Sequence, residues 1–243
     1  MRSSELTGKT ALITGATSGI GRAIAVALAG ARVRVIVCGR REDLLQELVT
    51  ELGASSAAIP VDLRGQESMD AMFDAVEELD ILINCAGVAP KATVLAGGYE
   101  QFNELLEVNV LALAYCAQRA VRLFGPGGGH IINVSSMSGH RVPPSGGFYA
   151  ATKFAVRALT DSLRYELKAA GDKTRVACIS PGFVDTPLLD AYFKGNEHEL
   201  AELKSGLRML QPEDVAASVL HLLQAPAHVE IGDILLRPSD QSV

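Results

Sequence analysis

Short apolar runs alternate with segments of helical spacing along almost the whole chain. Residues 10–14 (TALIT) form an apolar run of strand length, and residues 20–28 follow with Ala-rich helical spacing. The same alternation predicts strands at 33–38 (VRVIVC), 57–61, 80–83, 131–134, 175–179 and 233–236. Between them, helices are predicted at 42–52, 68–78, 99–123, 149–170 and 213–223, with a mixed stretch at 185–210. Glycines and a proline at 125–129 punctuate the chain before the fifth strand. Strands separated by helices of this length imply parallel crossovers. Without an internal repeat, low-complexity tract or Pro/Ser-rich linker, residues 1–243 are expected to form one α/β domain. Its core is a doubly wound, mainly parallel seven-stranded sheet with helices on both faces.

Composition narrows the function classes. Of the 243 residues 48% are hydrophobic and 21% charged, the balance of a packed globule. A net charge of -6 argues against a nucleic-acid partner, whose phosphates call for clustered Lys and Arg. No apolar run approaches the roughly eighteen residues of a membrane span, and the opening MRSSEL lacks the apolar stretch of a signal peptide. Cys38, Cys85, Cys116 and Cys178 lie far apart without CxxC spacing, which suits reduced thiols in a cytoplasmic protein. His198-Glu199 lacks the second histidine of a zinc-binding HExxH helix, so no metal is expected.

The first strand runs directly into Thr14-Gly15-Ala16-Thr17-Ser18-Gly19-Ile20-Gly21 and then a helix. Glycines here let the backbone approach a pyrophosphate, which the helix N-terminus favours electrostatically. The spacing G-x-x-x-G-x-G is a relative of the Rossmann-type dinucleotide fingerprint, and tight packing alone is the competing explanation. About 20 residues on, an NAD site offers a carboxylate to the ribose. This chain has Gly39, Arg40 and Arg41 there, a pattern that spares a 2′-phosphate from repulsion and favours NADP(H). Alternatively, the two arginines simply open a solvated helix. Asp62-Leu63 ends the third strand, where the carboxylate suits either an adenine amino group or a helix N-cap. Asn84, Ala86 and Gly87 end the fourth strand at the edge where such sheets bind ligands, or else serve only a tight turn.

Tyr149 and Lys153, four apart, share one face of a helix. A phenol with an ordinary pKa of about 10 is a poor acid or base at neutral pH. A neighbouring ammonium favours the phenolate and draws the pKa toward working pH. Ser136, at the end of the fifth strand, is placed to hold a substrate oxygen on which charge develops. Such Tyr-x-x-x-Lys pairs are also common on helix surfaces; the glycine turn and strand-end Ser are what set this one apart.

Together these segments resemble the short-chain dehydrogenase/reductase family over nearly the full chain. The matching features are TGATSGIG, Asp62, NCAG in place of the usual NNAG, Asn109 in an N-V-x-A segment, Ser136, Tyr149, Lys153, Pro181-Gly182 and Thr186. The resemblance implies Tyr149 as acid/base, Lys153 as ribose ligand and tuner of Tyr149, Ser136 as carbonyl anchor and Asn109 in a proton relay. It also implies that Gly15, Thr17, Ser18, Gly19, Ile20, Gly21, Arg40, Arg41, Asp62, Leu63, Asn84, Ala86, Gly87, Tyr149, Lys153, Pro181, Gly182, Val184 and Thr186 contact the cofactor. Arg40 matches the subgroup preferring NADP, and pairing of the helices at 99–123 and 149–170 across a two-fold axis implies a homo-dimer or homo-tetramer. Cys85 departs from the family's second Asn, and the stretch between Asp62 and Asn84 is a few residues short. Residues 136–142, 178–182 and 225–238 resemble the branch holding dehydrogenase/reductase member eleven and the insect farnesol dehydrogenases. That branch acts on ketosteroids, other lipophilic carbonyls or isoprenoid alcohols, whereas bacterial relatives with a similar tail act on small 3-hydroxy acids.

The stretch 185–210 is expected to form a substrate lid. Leu188, Leu189, Tyr192, Phe193, Leu200, Leu203 and Leu207 suit a lipophilic substrate or simple packing onto the sheet. Arg141 lies close enough to Ser136 for a carboxylate, and His140 is expected to serve the turn. The expected function is NADP(H)-linked interconversion of an alcohol and a carbonyl. A 3-hydroxy-acid dehydrogenase and a non-catalytic NADP(H) sensor are the alternatives.

Overall fold

The computed structural model describes residues 6–144 and 146–241; the Met1–Glu5 part of the opening read above lies outside them. Seven parallel strands form one sheet: β1 (Thr10–Thr14), β2 (Arg34–Gly39), β3 (Ala57–Pro60), β4 (Ile81–Asn84), β5 (His130–Val134), β6 (Arg175–Pro181) and β7 (Asp233–Leu236). Their order is β3-β2-β1-β4-β5-β6-β7, so the winding reverses between β1 and β4. At that switch point the loops diverge and leave a crevice at the carboxyl edge, the site of ligand binding in open sheets.

Alternation along each strand feeds two cores. Ala11 and Ile13 of β1, with Val35 and Val37 of β2, pack under α1 (Gly19–Gly30), α2 (Glu42–Leu52) and α9 (Pro212–Leu223). Leu12, Ile36 and Cys38 point the other way, toward α3 (Gln66–Asp74), α5 (Ala112–Leu123) and α6 (Gly147–Ala169). Both faces are covered, as the near-continuous apolar strands require.

Two helices differ from their sequence patterns. The helix expected at 68–78 starts at Gln66 and stops at Asp74. After it the chain turns so that Leu79 bridges to Phe124 and the Asp80 carboxylate accepts from the Thr10 N–H at 2.9 Å and from Lys9 Nζ at 2.7 Å. Anchoring β4 beside β1 outweighs one more turn of helix. The helix expected at 99–123 is α4 (Tyr99–Leu106) and α5, joined by a π-helical turn at Glu107–Leu111. Apolar spacing cannot report one wide turn, because the stripe resumes on the same face beyond it.

The 185–210 stretch contains α7 (Pro187–Tyr192) and α8 (Glu197–Gly206). Lys204 of α8 pairs with Asp185 at 3.1 Å and Asp190 at 3.0 Å, drawing the two helices together. At the base of the stretch Val184 bridges to Leu210.

Candidate functional site

The site grows from the end of β1. Thr14 Oγ1 accepts from the Cys85 and Ala86 N–H groups, each at 3.1 Å, locking the β1 and β4 ends together. The Ala86 backbone then lies so close to Gly15 (φ +68°) that a Cβ there would sit 2.6 Å from Ala86 Cα. One turn on, a Cβ at Gly21 would run into the Gly15 carbonyl. Only glycine fits either position, so packing does require these residues. The same small residues leave the first turn of α1 bare, with no side-chain cap from Ser18 and no acidic residue. Its unpartnered N–H groups and helix dipole suit a phosphate.

A cavity of about 450 Å³ runs from this turn along the carboxyl ends of the strands. Gly15, Thr17, Ser18, Gly19, Ile20, Gly21, Arg40, Arg41, Asp62, Leu63, Ala86, Gly87, Ser136, Tyr149, Lys153, Pro181, Gly182, Val184 and Thr186 all line it, although they come from the ends of six strands and from α6. Arg41 donates to Thr17 Oγ1 at 2.5 Å and Ser18 Oγ at 3.1 Å, so it folds back over the glycine turn and does not merely extend into solvent. Arg40 stays exposed at the mouth.

Two expected residues are absent from the wall. Asn84 is buried and donates to the Leu113 carbonyl at 3.3 Å and to Asn133 Oδ1 at 2.9 Å. Asn133 continues to Thr160 Oγ1 at 2.9 Å, so Asn84 belongs to an internal polar chain joining β4, β5 and α6. The Asn84 side chain is thus engaged inside the molecule, away from the cavity wall. Asn109 is 1% exposed in the π turn, where Oδ1 accepts from the Val88 N–H at 2.9 Å. Its Nδ2 donates to the Val88 carbonyl at 3.0 Å and to Thr152 Oγ1 at 3.2 Å. It props the wall from behind.

Asp62 is not a helix N-cap, since Gly65 holds that position. Its carboxylate accepts from Arg64 N at 3.1 Å and Arg64 Nε at 3.0 Å, and these bonds lower its pKa to about 2. The carboxylate therefore stays ionised, with its partner on the same exposed turn.

At the other end, Ser136 precedes a 3₁₀ turn (Met137–Gly139), and its Oγ accepts from Ser138 N at 3.1 Å. The Tyr149 hydroxyl hydrogen-bonds Ser136, yet burial dominates and pushes the phenol up to about 12. Lys153 is 5% exposed; its Nζ donates to the Val134 carbonyl at 3.0 Å and lies 5.7 Å from the Tyr149 ring centroid. Burial brings Lys153 down to about 8. Lys153 thus stands beside the phenol, while desolvation acts on both groups and favours the neutral form of each.

His140 bonds Ser180 Oγ at 2.9 Å and holds the Ser136 loop to β6, as a turn residue should. The apolar residues of the 185–210 stretch divide. Leu188, Leu189, Tyr192 and Phe193 line the cavity, and the Tyr192 ring meets Tyr149 edge-on at 6.0 Å between centroids. Leu200, Leu203 and Leu207 do not line it. Sequence reasoning passed over Thr14, Asn133, Thr152 and Gln241. A polar residue inside an otherwise apolar strand was the available signal for Thr14 and Asn133; nothing local marks Gln241, which reaches the cavity from beyond β7.

The short chain dehydrogenase family model matches residues 9–197. Dehydrogenase/reductase SDR family member 11 of Bos taurus is 42% identical over 247 aligned positions, covering 96% of this chain and 97% of the relative. Among solved structures, the closed form of serine dehydrogenase complexed with NADP+ superposes with a TM-score of 0.89 at 32% identity, covering 96% of each chain. The 3-ketoacyl-(acyl-carrier-protein) reductase of Brucella melitensis complexed with NADH gives 0.85 at 27% identity, over 96% of this chain and 98% of the other.

Proposed function

The chain belongs to the short-chain dehydrogenase/reductase family, and from that premise we propose that it is an NADP(H)-dependent oxidoreductase interconverting an alcohol and a lipophilic carbonyl. The observation that carries this reading is one cavity holding a glycine cradle at one end and the Ser136–Tyr149–Lys153 cluster at the other. The cradle passes a direct fit test, since Gly15 and Gly21 stand where a Cβ would collide and the N-terminus of α1 is uncapped. Thr17, Ser18 and that N-terminus would hold the pyrophosphate, and Arg40 with Arg41 a 2′-phosphate. The chemistry a bound dinucleotide supplies is hydride transfer at the nicotinamide.

The chain's own part is proton handling and positioning. Ser136 donates to the substrate oxygen, stabilising charge as it develops. Tyr149, kept protonated by burial, stands as the proton donor to the resulting alkoxide; in the reverse direction the phenol first releases its own proton to solvent, and the phenolate then accepts the alcohol's proton. Lys153, in reach of the Val134 carbonyl and the Tyr149 ring, orients the ribose and the phenol. Asn109 holds the Val88 backbone that forms the wall beside them. We assign residues 185–210 the role of lid, with Leu188, Leu189, Tyr192 and Phe193 as its apolar inner surface. Exposed Leu111 and Tyr165, on the helices that pack beside one another, support a homo-oligomer. Four free thiols, three of them buried, suit a reducing cytoplasmic setting.

NADPH and NADH oxidation, followed with steroid ketones, isoprenoid aldehydes, diketones and 3-oxo acids, tests the reading. We expect NADPH-selective turnover that Tyr149→Phe lowers by about 10²–10⁴, and a preference that Arg40→Ala shifts toward NADH. NADPH binding without turnover on any carbonyl, or on the matching alcohols with NADP+, would leave a sensor. Arg141 and Glu199 on the cavity wall favour one second reading, a small charged hydroxy acid of the kind the serine dehydrogenase name denotes. Turnover confined to the 3-oxo acids would establish it.

A further inference from the structure

Beyond β7 the chain turns at Pro238, whose carbonyl accepts from Gln241 N at 3.1 Å, and sends the Gln241 side chain back into the molecule. Gln241 Oε1 accepts from the Phe183 N–H at 3.0 Å, and the residue lines the cavity. Contact there is close: a Cβ on Gly182 would collide with Gln241 Oε1 and stand 2.8 Å from Arg237 Cβ. Gly182 is therefore required by the segment after β7.

The peptide that Gln241 grips is a junction. The Phe183 carbonyl accepts from Leu210 N at 3.0 Å, and Asp185 N donates to the Leu210 carbonyl at 2.9 Å. Both ends of the 185–210 stretch are thus tied together on Phe183–Asp185, directly beside Pro181 and Gly182 of the cavity wall. The Phe183 N–H held by Gln241 and the Phe183 carbonyl held by Leu210 lie in adjacent peptide planes that meet at the Phe183 Cα, so losing the first bond loosens the second through rotation about Phe183 φ and ψ.

We propose that Gln241 is a positioning residue for the reaction: its side-chain carbonyl clamps the Gly182–Phe183 turn, and so sets the base of the lid and the wall against which cofactor and substrate seat. This rests on the cavity being the NADP(H) site proposed above. The clamp needs an acceptor at position 241 and nothing more. Glu supplies one; Leu fills a similar volume and supplies none.

The test is hydrogen exchange on the protein without cofactor, together with NADPH titration and carbonyl kinetics, for wild type, Gln241→Leu and Gln241→Glu. In Gln241→Leu, amides at Phe183 and across 185–210 should exchange up to about tenfold faster, the worth of one hydrogen bond at its upper end. The NADPH dissociation constant and the carbonyl KM should rise by a similar factor, with a smaller change in kcat. Gln241→Glu should stay within about twofold of wild type in exchange without cofactor, because the acceptor is kept. Unchanged exchange in Gln241→Leu, or a Glu variant that exchanges as fast as the Leu variant, overturns the proposal. Gln241→Ala carries the same comparison should the Leu variant misfold. A wild type that binds no dinucleotide would overturn the reading of the cavity, while the exchange comparison would still decide the clamp.

Discussion

Lys153 shows how burial and chemistry meet at a single residue. Its folded pKa of about 8 lies below the ordinary 10.5, because taking the ammonium out of water costs more than the Val134 carbonyl returns. Between those two values the unfolded chain binds more protons than the native one, so this residue's contribution to stability rises with pH through that window. Urea unfolding at pH 7.5 and 9.5 should show wild type gaining on the order of 1–2 kcal/mol relative to Lys153→Met. Other groups that titrate in the same range are common to both proteins. An identical pH dependence in the two would mean that Lys153 is solvated. For Tyr149 the sign reverses: raised to about 12, it stays protonated in the native state and weakens that state as pH climbs past its ordinary value of 10. Pairing the two residues at the spacing of one helical turn was legible in the sequence. Desolvation, which decides both pKa values, was not, because it depends on walls contributed by β4, β5 and α7.

Among the elements, the π turn between α4 and α5 matters most to the site. Its wide backbone turns Asn109 inward, where it serves both polar groups of the Val88 backbone and Thr152 at once. Asn109→Ala leaves those groups without their partner in a buried setting, so we expect a loss of about 1–3 kcal/mol in urea unfolding. The variant should also turn over more slowly, and wild-type stability in it would refute the propping role. At the start of β5, His130 is buried beside Arg175, and burial with that charge lowers its pKa from 6.5 to about 3. Stability linked to this residue is present above pH 6.5 and lost as pH falls toward 3, since the unfolded chain takes up the proton first. His130→Val should therefore resist acid better: its unfolding midpoint, compared with wild type, should improve between pH 7 and 4.5. Equal acid sensitivity would assign the loss to other groups. Hydrophobic period announced both elements, but neither the extra residue in the helix nor the buried charge beside the strand.

At the scale of the whole molecule, the helices covering one sheet face leave Leu111 61% and Tyr165 72% exposed. A monomer seldom leaves such residues bare on adjoining helices, and a second copy is the occupant we propose. Sedimentation should give a dimer or larger species for wild type, and a smaller one for Leu111→Arg combined with Tyr165→Glu. A monomeric wild type would refute the assembly.

What the sequence determined by itself were the features carried by local pattern: seven apolar strands, their alternation with helices, the glycine turn after Thr14 and the Tyr149–Lys153 spacing. These are written within a few residues of one another, where backbone sterics and burial period act directly. Tertiary structure alone decided which polar residues face the cavity and which face away. Asn84 and Asn109 carry the residue type of a ligand contact and turn inward, whereas Gln241 carries no signal and lines the wall. The physical reason is that a side chain's partner is chosen by what the sheet order brings beside it. That order joins β1 to β4, and closes the segment after β7 onto the end of β6, across stretches of chain that no local pattern spans.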